Sequence, residues 1–188
     1  MTLANKITLA RFLLSLVSFA VLAVHERSPY TLITIAYVLF LVVALSDMLD
    51  GWAARRYGEI TEIGRIADPM VDKISVCGTL ILSQRIAGIP ELVPAWIIVV
   101  IVVREFVVSG IRAAAEAKGI PFPANLWGKV KAFVQMTLAA ASIMHPVLTA
   151  GQAWAEWFVR VSAWGAAAAT VVSGAIYAGE AAKVLRSR

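Results

Sequence analysis

Residues 32–56 read Leu32-Ile33-Thr34-Ile35-Ala36-Tyr37-Val38-Leu39-Phe40-Leu41-Val42-Val43-Ala44-Leu45-Ser46-Asp47-Met48-Leu49-Asp50-Gly51-Trp52-Ala53-Ala54-Arg55-Arg56. An almost uninterrupted apolar run ends in two carboxylates three positions apart. A second pair follows in Asp68-Pro69-Met70-Val71-Asp72-Lys73, four apart. Either spacing puts both carboxylates on one helical face, a turn apart. A carboxylate at bilayer depth costs several kcal/mol unless something compensates it. Four in so short a stretch call for divalent cations, and cations held beside a membrane surface imply chemistry. Without metal the four charges would repel one another and some would take up protons.

The surrounding chain has the composition of a membrane protein. Its 188 residues are 60% hydrophobic and only 15% charged, against roughly 45–50% and 25% in soluble domains. The apolar residues fall into six segments, about 7–24, 30–52, 66–87, 92–115, 126–147 and 154–182, each near the length needed to span a bilayer. The expected fold is an all-α integral membrane protein with six transmembrane helices and an active site at the cytoplasmic interface. No polar linker or repeat divides it, so residues 1–188 are expected to form a single domain. Residues 1–20, with Lys6, Arg11 and Ser18-Phe19-Ala20, have some features of a signal peptide. The five segments that follow make its removal unnecessary for insertion. The lone cysteine, Cys77, is read as a small packing residue. Trp52, Trp96, Trp127, Trp154 and Trp157 fall near segment ends, as interfacial anchors do.

The formal charge is +5, and its distribution is informative. With the N-terminus inside, only Arg27, Arg85 and Arg160 of the 17 basic residues fall on the outer side. The positive-inside rule then puts both termini and the acidic motif in the cytoplasm. The inner basic residues would also favour anionic membrane lipids. His25 and His145 lie towards the outer side and are given no role. No nucleic-acid partner is expected.

The carboxylates carry oxygen ligands that suit hard cations shared with substrate phosphates. Two metals about 4 Å apart can clamp a phosphoryl centre. Gly51 and Gly64 would admit a ligand close to the backbone. Arg55 could bond a phosphate. Pro69 suits the first turn of the third helix, and Gly58 and Gly64 are read as part of the loop before it. The competing reading, solvated helix-end charges neutralised by Arg55, Arg56, Arg65 and Lys73, does not account for the fixed Gly, Ala and Arg between the aspartates.

This stretch resembles the CDP-alcohol phosphotransferase family. Its pattern D-x2-D-G-x2-A-R-x8-G-x3-D-x3-D is met by Asp47, Asp50, Gly51, Ala54, Arg55, Gly64, Asp68 and Asp72. The resemblance implies a six-helix membrane enzyme, usually a homodimer, that transfers a substituted phosphate from a CDP-linked donor to an alcohol and releases CMP. It implies two metal ions, Mg²⁺ or Mn²⁺, held by Asp47, Asp50, Asp68 and Asp72. Asp72 is further implied as the base that deprotonates the acceptor, and spacing alone leaves open whether it is base, ligand or both. Gly51, Ala54, Arg55 and Gly64 would line the CDP pocket. The opening Asn5-Lys6-Ile7-Thr8-Leu9-Ala10-Arg11 is similar to the family's Asn-x-x-Thr-x-x-Arg segment, which makes Asn5 a cytidine contact; its other reading is an N-cap of the first helix.

Arg104 follows the apolar run 96–103 and needs a partner or a wet cavity. Arg104 and Arg112 lie about 80° apart on a helix, so both could reach one cavity. Glu105 and Arg112 are nearly aligned, so an internal ion pair is the alternative. Lys129 and Lys131, two apart, point to opposite sides, which lets one face a cavity while the other snorkels. With Gly128, Gln135 and Met136, these residues resemble the bacterial branch of the family that joins CDP-diacylglycerol to glycerol 3-phosphate. Ala132 departs from that branch, where Thr is frequent. The resemblance implies that Arg104, Arg112, Lys129 and Lys131 bind the acceptor phosphate, which carries nearly two charges near neutral pH. Inositol-phosphate, cardiolipin or serine chemistry are the neighbouring possibilities. A divalent-cation transporter is the rival of another class, but it would spread its acids across the bilayer, whereas these cluster at one interface. A catalytically silent scaffold is a third reading. The last segment offers nothing diagnostic.

Overall fold

The computed structural model describes residues 3–57, 62–117, 119, 126–148 and 152–186, with side chains described for these except 3–4, 27, 47–57, 62–66, 148 and 181–186. Among the described residues all regular structure is helical: α1 (Leu3–Ala23), α2 (Pro29–Tyr57), α3 (Glu62–Ser83), the short α4 (Ile89–Leu92), α5 (Ala95–Ala117), α6 (Leu126–Leu148) and α7 (Ala153–Arg186), with one 3-10 turn at His25–Arg27. Three of these are long and apolar enough to cross a membrane, over Asn5–Ala23, Pro29–Ser46 and Ala153–Glu180. The other three long helices, α3, α5 and α6, carry the polar groups of the cavity described below, which interrupts their apolar character. The fold is consistent with an integral membrane protein.

The long helices overlap the six apolar segments; most run past them at one end or both, while α3 stops at Ser83 and α5 starts only at Ala95. α2 continues to Tyr57 and α3 begins at Glu62. Gly64 is therefore helical rather than part of a loop, and Pro69 lies inside α3 rather than in its first turn. Hydropathy detects only the part of a helix that must be apolar. The backbone keeps its hydrogen bonds for as long as they are available, so polar turns extend beyond the apolar stretch. Asn5 lies inside α1, which begins at Leu3, so it does not cap that helix. Gly58, Lys118, Asn125 and Arg188 lie outside the described residues, as do the side chains of Lys183 and Arg186.

α1 packs against α2 and α3, α6 against α7 and α2, and α5 against α7. Small and hydroxylated residues permit the close approaches, as they do between helices in lipid. Ser15 Oγ and Ser75 Oγ are 2.7 Å apart across α1 and α3, and Ser18 Oγ donates to Ala36 O at 3.2 Å. A Cβ on Gly78 of α3 would stand 2.3 Å from Phe19 Cζ of α1, so only glycine admits that ring as placed. Between α6 and α7 the contact is alanine-rich, with Ala139, Ala163 and Ala166 fully buried. Leu22, Phe40, Leu80, Ile97, Ile101, Leu138 and Ile143 complete the core. The reversal after α3 uses Gly88 at φ +83 and a bond from Gln84 Nε2 to Val93 O at 3.1 Å. Near the same end, Arg85 bonds Ala23 O and Glu26.

The outer surface is apolar. Leu13, Val17, Val38, Val99, Val103, Phe106, Phe133 and Val171 are all exposed. In water such a surface would drive association; against lipid tails it costs nothing. Hydroxyls on or near this surface bond within their own helix, Thr34 to Tyr30 O, Ser46 to Val42 O and Thr137 to Phe133 O, which satisfies their donors without water.

Candidate active site

The two acidic pairs are carried by consecutive helices. Asp47 and Asp50 lie on the last turns of α2 with Gly51, Ala54 and Arg55; Gly64, Asp68 and Asp72 lie on the first half of α3. The side chains of Asp47, Asp50, Ala54 and Arg55 are outside the described residues. Among the described residues no group of three or more His, Cys, Asp or Glu forms a metal site. What is described is the second pair and its surroundings. Thr8 Oγ1 donates to Asp68 Oδ1 at 2.5 Å, and Arg11 Nη2 bonds Asp72 Oδ1. Arg11 is buried. Thr8 and Arg11 thus fasten the start of α1 over the aspartates of α3. Asn5, Thr8 and Arg11 follow one another at steps of three, and that spacing is the sequence signal for this face of α1.

Beside Asp72 opens a cavity of about 420 Å³. α3 lines it with Asp72, Lys73 and Cys77, α5 with Arg104, Glu105, Ser109 and Arg112, α6 with Gly128, Lys129, Lys131 and Gln135, and α7 with Tyr177. The four basic residues of the expected acceptor site and the expected base therefore share one space. Both Lys129 and Lys131 line it, although their two-residue spacing points them to opposite sides of a regular helix. Lys131 is buried and Lys129 is exposed, so they reach the cavity at different depths. Cys77 likewise lines the cavity besides packing in the core.

The polar contacts differ from the seven-residue pairing considered above. Glu105 bonds Lys131 Nζ, and Arg104 Nη1 lies 3.5 Å from the same carboxylate oxygen. Arg112 turns instead to Tyr177, with Nη2 3.3 Å from the phenol oxygen. The Tyr177 ring also lies 5.3 Å from the Arg104 guanidinium and 5.9 Å from that of Arg112. A buried aromatic face between two guanidiniums offsets part of the cost of placing like charges together. The last helix, whose sequence carries no diagnostic motif, thus supplies the residue that contacts both arginines. A lone Tyr in an apolar helix is a core residue until the fold shows what it faces. Lys73 Nζ donates to Ser109 Oγ at 2.5 Å. Arg104 Nε, Arg104 Nη2 and Arg112 Nε are buried without a hydrogen-bond partner among the described residues. Buried guanidinium donors without acceptors are costly, and an anion in the cavity would satisfy them.

An aspartate-bearing helix pair beside a basic cavity offers oxygen ligands to a hard cation and donors to a phosphate. The chain belongs to the CDP-alcohol phosphatidyltransferase family, which it matches over residues 1–172. It is 32% identical over 181 residues to the CDP-diacylglycerol–glycerol-3-phosphate 3-phosphatidyltransferase of Bacillus subtilis (strain 168), covering 92% of this chain and 91% of that one. It is 27% identical over 175 residues to the protein of the same name from Rickettsia bellii (strain RML369-C), covering 93% and 92%. A probable phosphatidylglycerophosphate synthase of Mycobacterium tuberculosis (strain ATCC 25618 / H37Rv) is 33% identical over 133 residues, covering 71% and 61%. Membership of a transferase family stands against the cation-transporter reading. The family is generally divalent-cation dependent.

Proposed function

We propose that this protein transfers the phosphatidyl group of CDP-diacylglycerol to glycerol 3-phosphate, giving phosphatidylglycerophosphate and CMP. The observation that carries this reading is the single cavity that holds Asp72 together with Arg104, Arg112, Lys129 and Lys131. A phosphate monoester would supply acceptors for the Arg104 and Arg112 donors that the described residues leave unmatched. Its three-carbon body would let the far hydroxyl face Asp72 while the phosphate stays with the basic residues. The chain names of the Bacillus and Rickettsia relatives support the same donor and acceptor.

The metal fits the chemistry of the residues. Asp68 and Asp72 present carboxylate oxygens one turn apart on α3, as hard cations require. Asp47, Asp50, Asp68 and Asp72 would hold two Mg²⁺ or Mn²⁺ ions. When bound, these ions would neutralise the diphosphate and favour CMP as a leaving group. Asn5, Gly51, Ala54, Arg55 and Gly64 would contact the CDP moiety.

In the reaction, the acceptor hydroxyl oxygen forms a bond to the phosphorus that bears the diacylglycerol. The bond from that phosphorus to the bridging diphosphate oxygen breaks, and its electron pair leaves with CMP. Asp72 takes the hydroxyl proton. A carboxylate is a weak base, so its contribution comes from position. The Arg11 bond to Asp72 Oδ1 restricts that position. The protein would act as a homodimer in the bacterial inner membrane, with six spans, cytoplasmic termini, and residues 1–188 as one domain. A soluble acceptor then meets a lipid-bound diphosphate at the cytoplasmic interface.

The test is CMP release by purified protein with CDP-diacylglycerol and a panel of acceptors. Turnover with glycerol 3-phosphate is expected. Turnover with inositol phosphate or serine, and none with glycerol 3-phosphate, would reassign the acceptor.

A further inference from the structure

Glu105 has no part in the chemistry above, yet it sits among the cavity's cations. It is 5% exposed. One of its oxygens, Oε1, takes both Lys131 Nζ and Arg104 Nη1. These are two of the four groups assigned to the acceptor phosphate. Arg104 Nε and Nη2 are buried and have no hydrogen-bond partner among the described residues. The cluster is therefore partly neutralised by the protein itself and partly left for something else.

We infer that Glu105 is a resident counter-anion: it holds Lys131 and Arg104 in place of the acceptor phosphate and yields them when that phosphate binds. The inference rests on the phosphate-binding reading of the cavity. Its physical basis is competition for the same donors. Cations at this depth need a compensating charge while the cavity waits for substrate. One carboxylate supplies it. A phosphate monoester carries nearly two charges and three acceptor oxygens, so it can take the donors over. An uncharged alcohol cannot, and Glu105 thereby discriminates in favour of a doubly charged acceptor. The product keeps the acceptor's phosphate monoester, so the carboxylate competes with product as well. Equal weakening of substrate, transition-state and product binding raises KM without lowering kcat, and it helps the product leave. Glu105 is on this account a positioning residue that acts through Lys131 and Arg104.

A purely structural role, tying α5 to α6, makes the opposite prediction, because any loosening of the pair would then impair the site. The decisive variant is Glu105→Gln, which keeps the shape and one acceptor oxygen but removes the charge. The readouts are KM for glycerol 3-phosphate, KM for CDP-diacylglycerol, and direct binding of inorganic phosphate to the detergent-solubilised protein. Relief of one like-charge contact should lower the glycerol 3-phosphate KM and the phosphate Kd by roughly threefold or more, leaving the donor KM unchanged. Glu105→Asp, which retains the charge but withdraws it by one methylene, should fall between wild type and Gln. An unchanged or raised acceptor KM and phosphate Kd, in variants whose thermal transition matches wild type, overturns the inference. If the Gln variant does not fold, the Asp variant decides by the same criterion. Should wild type release no CMP with glycerol 3-phosphate, the acceptor assignment falls, and the phosphate-binding comparison still decides the role of Glu105.

Discussion

Arg11 of α1 bonds Asp72 of α3 across 61 residues of chain, with the arginine side chain 2% exposed and the aspartate side chain 44% exposed. The pair joins a buried, fixed cation to a carboxylate that is half in the open. That is the geometry expected of a group that must be held still and yet remain accessible. Arg11→Met should therefore lower kcat for CMP release more than it raises either KM. The accompanying loss of stability should be modest, about 1 kcal/mol, because the half-exposed aspartate is solvated in the variant. A thermal transition in detergent, read beside the kinetics, separates the two effects.

Removing a carboxylate at the reacting centre should be far more damaging. Asp68→Asn and Asp72→Asn should each lower kcat by about 10²-fold or more while the protein still purifies as a folded species. Residual activity near wild type in Asp72→Asn would assign the proton to another group.

Metal dependence follows from four carboxylates in the motif. Chelation should abolish CMP release, and Mg²⁺ or Mn²⁺ should restore it. Turnover that survives exhaustive chelation would rule out the two-metal arrangement.

Tyr177 makes two separable contributions to the arginine pair. Tyr177→Phe keeps the ring beside both guanidiniums and loses the oxygen that Arg112 reaches at 3.3 Å. Tyr177→Leu loses both. The glycerol 3-phosphate KM should rise by about fivefold for Phe, the equivalent of one ordinary hydrogen bond, and further for Leu. Arg112→Ala should raise the same KM more than that for CDP-diacylglycerol. Equal effects on both substrates would make Arg112 structural.

Gly78 offers a test of the packing that sets the site. With Phe19 Cζ 2.3 Å from where its Cβ would be, Gly78→Ala must displace the ring or separate α1 from α3. An overpacking cost of about 1–3 kcal/mol is expected, seen as a lower thermal transition. Because α1 carries Thr8 and Arg11, kcat should fall with it.

Residue order alone determined the acidic pairs and the apolar segments. Those are properties of neighbours along one helix, where a spacing of three or four fixes what shares a face. The same logic put Arg104 and Arg112 within reach of one space. It could not say that Glu105 would choose Lys131 over Arg112, because that choice depends on how α6 lies against α5. Nor could it mark Tyr177, Thr8 or Arg11 as partners of residues some sixty positions away. Those contacts exist only once small side chains such as Gly78 and the alanines of α6 and α7 let the helices approach. Only tertiary structure could decide them, since the distance between helix surfaces is set by packing across the bundle and not by spacing along the chain.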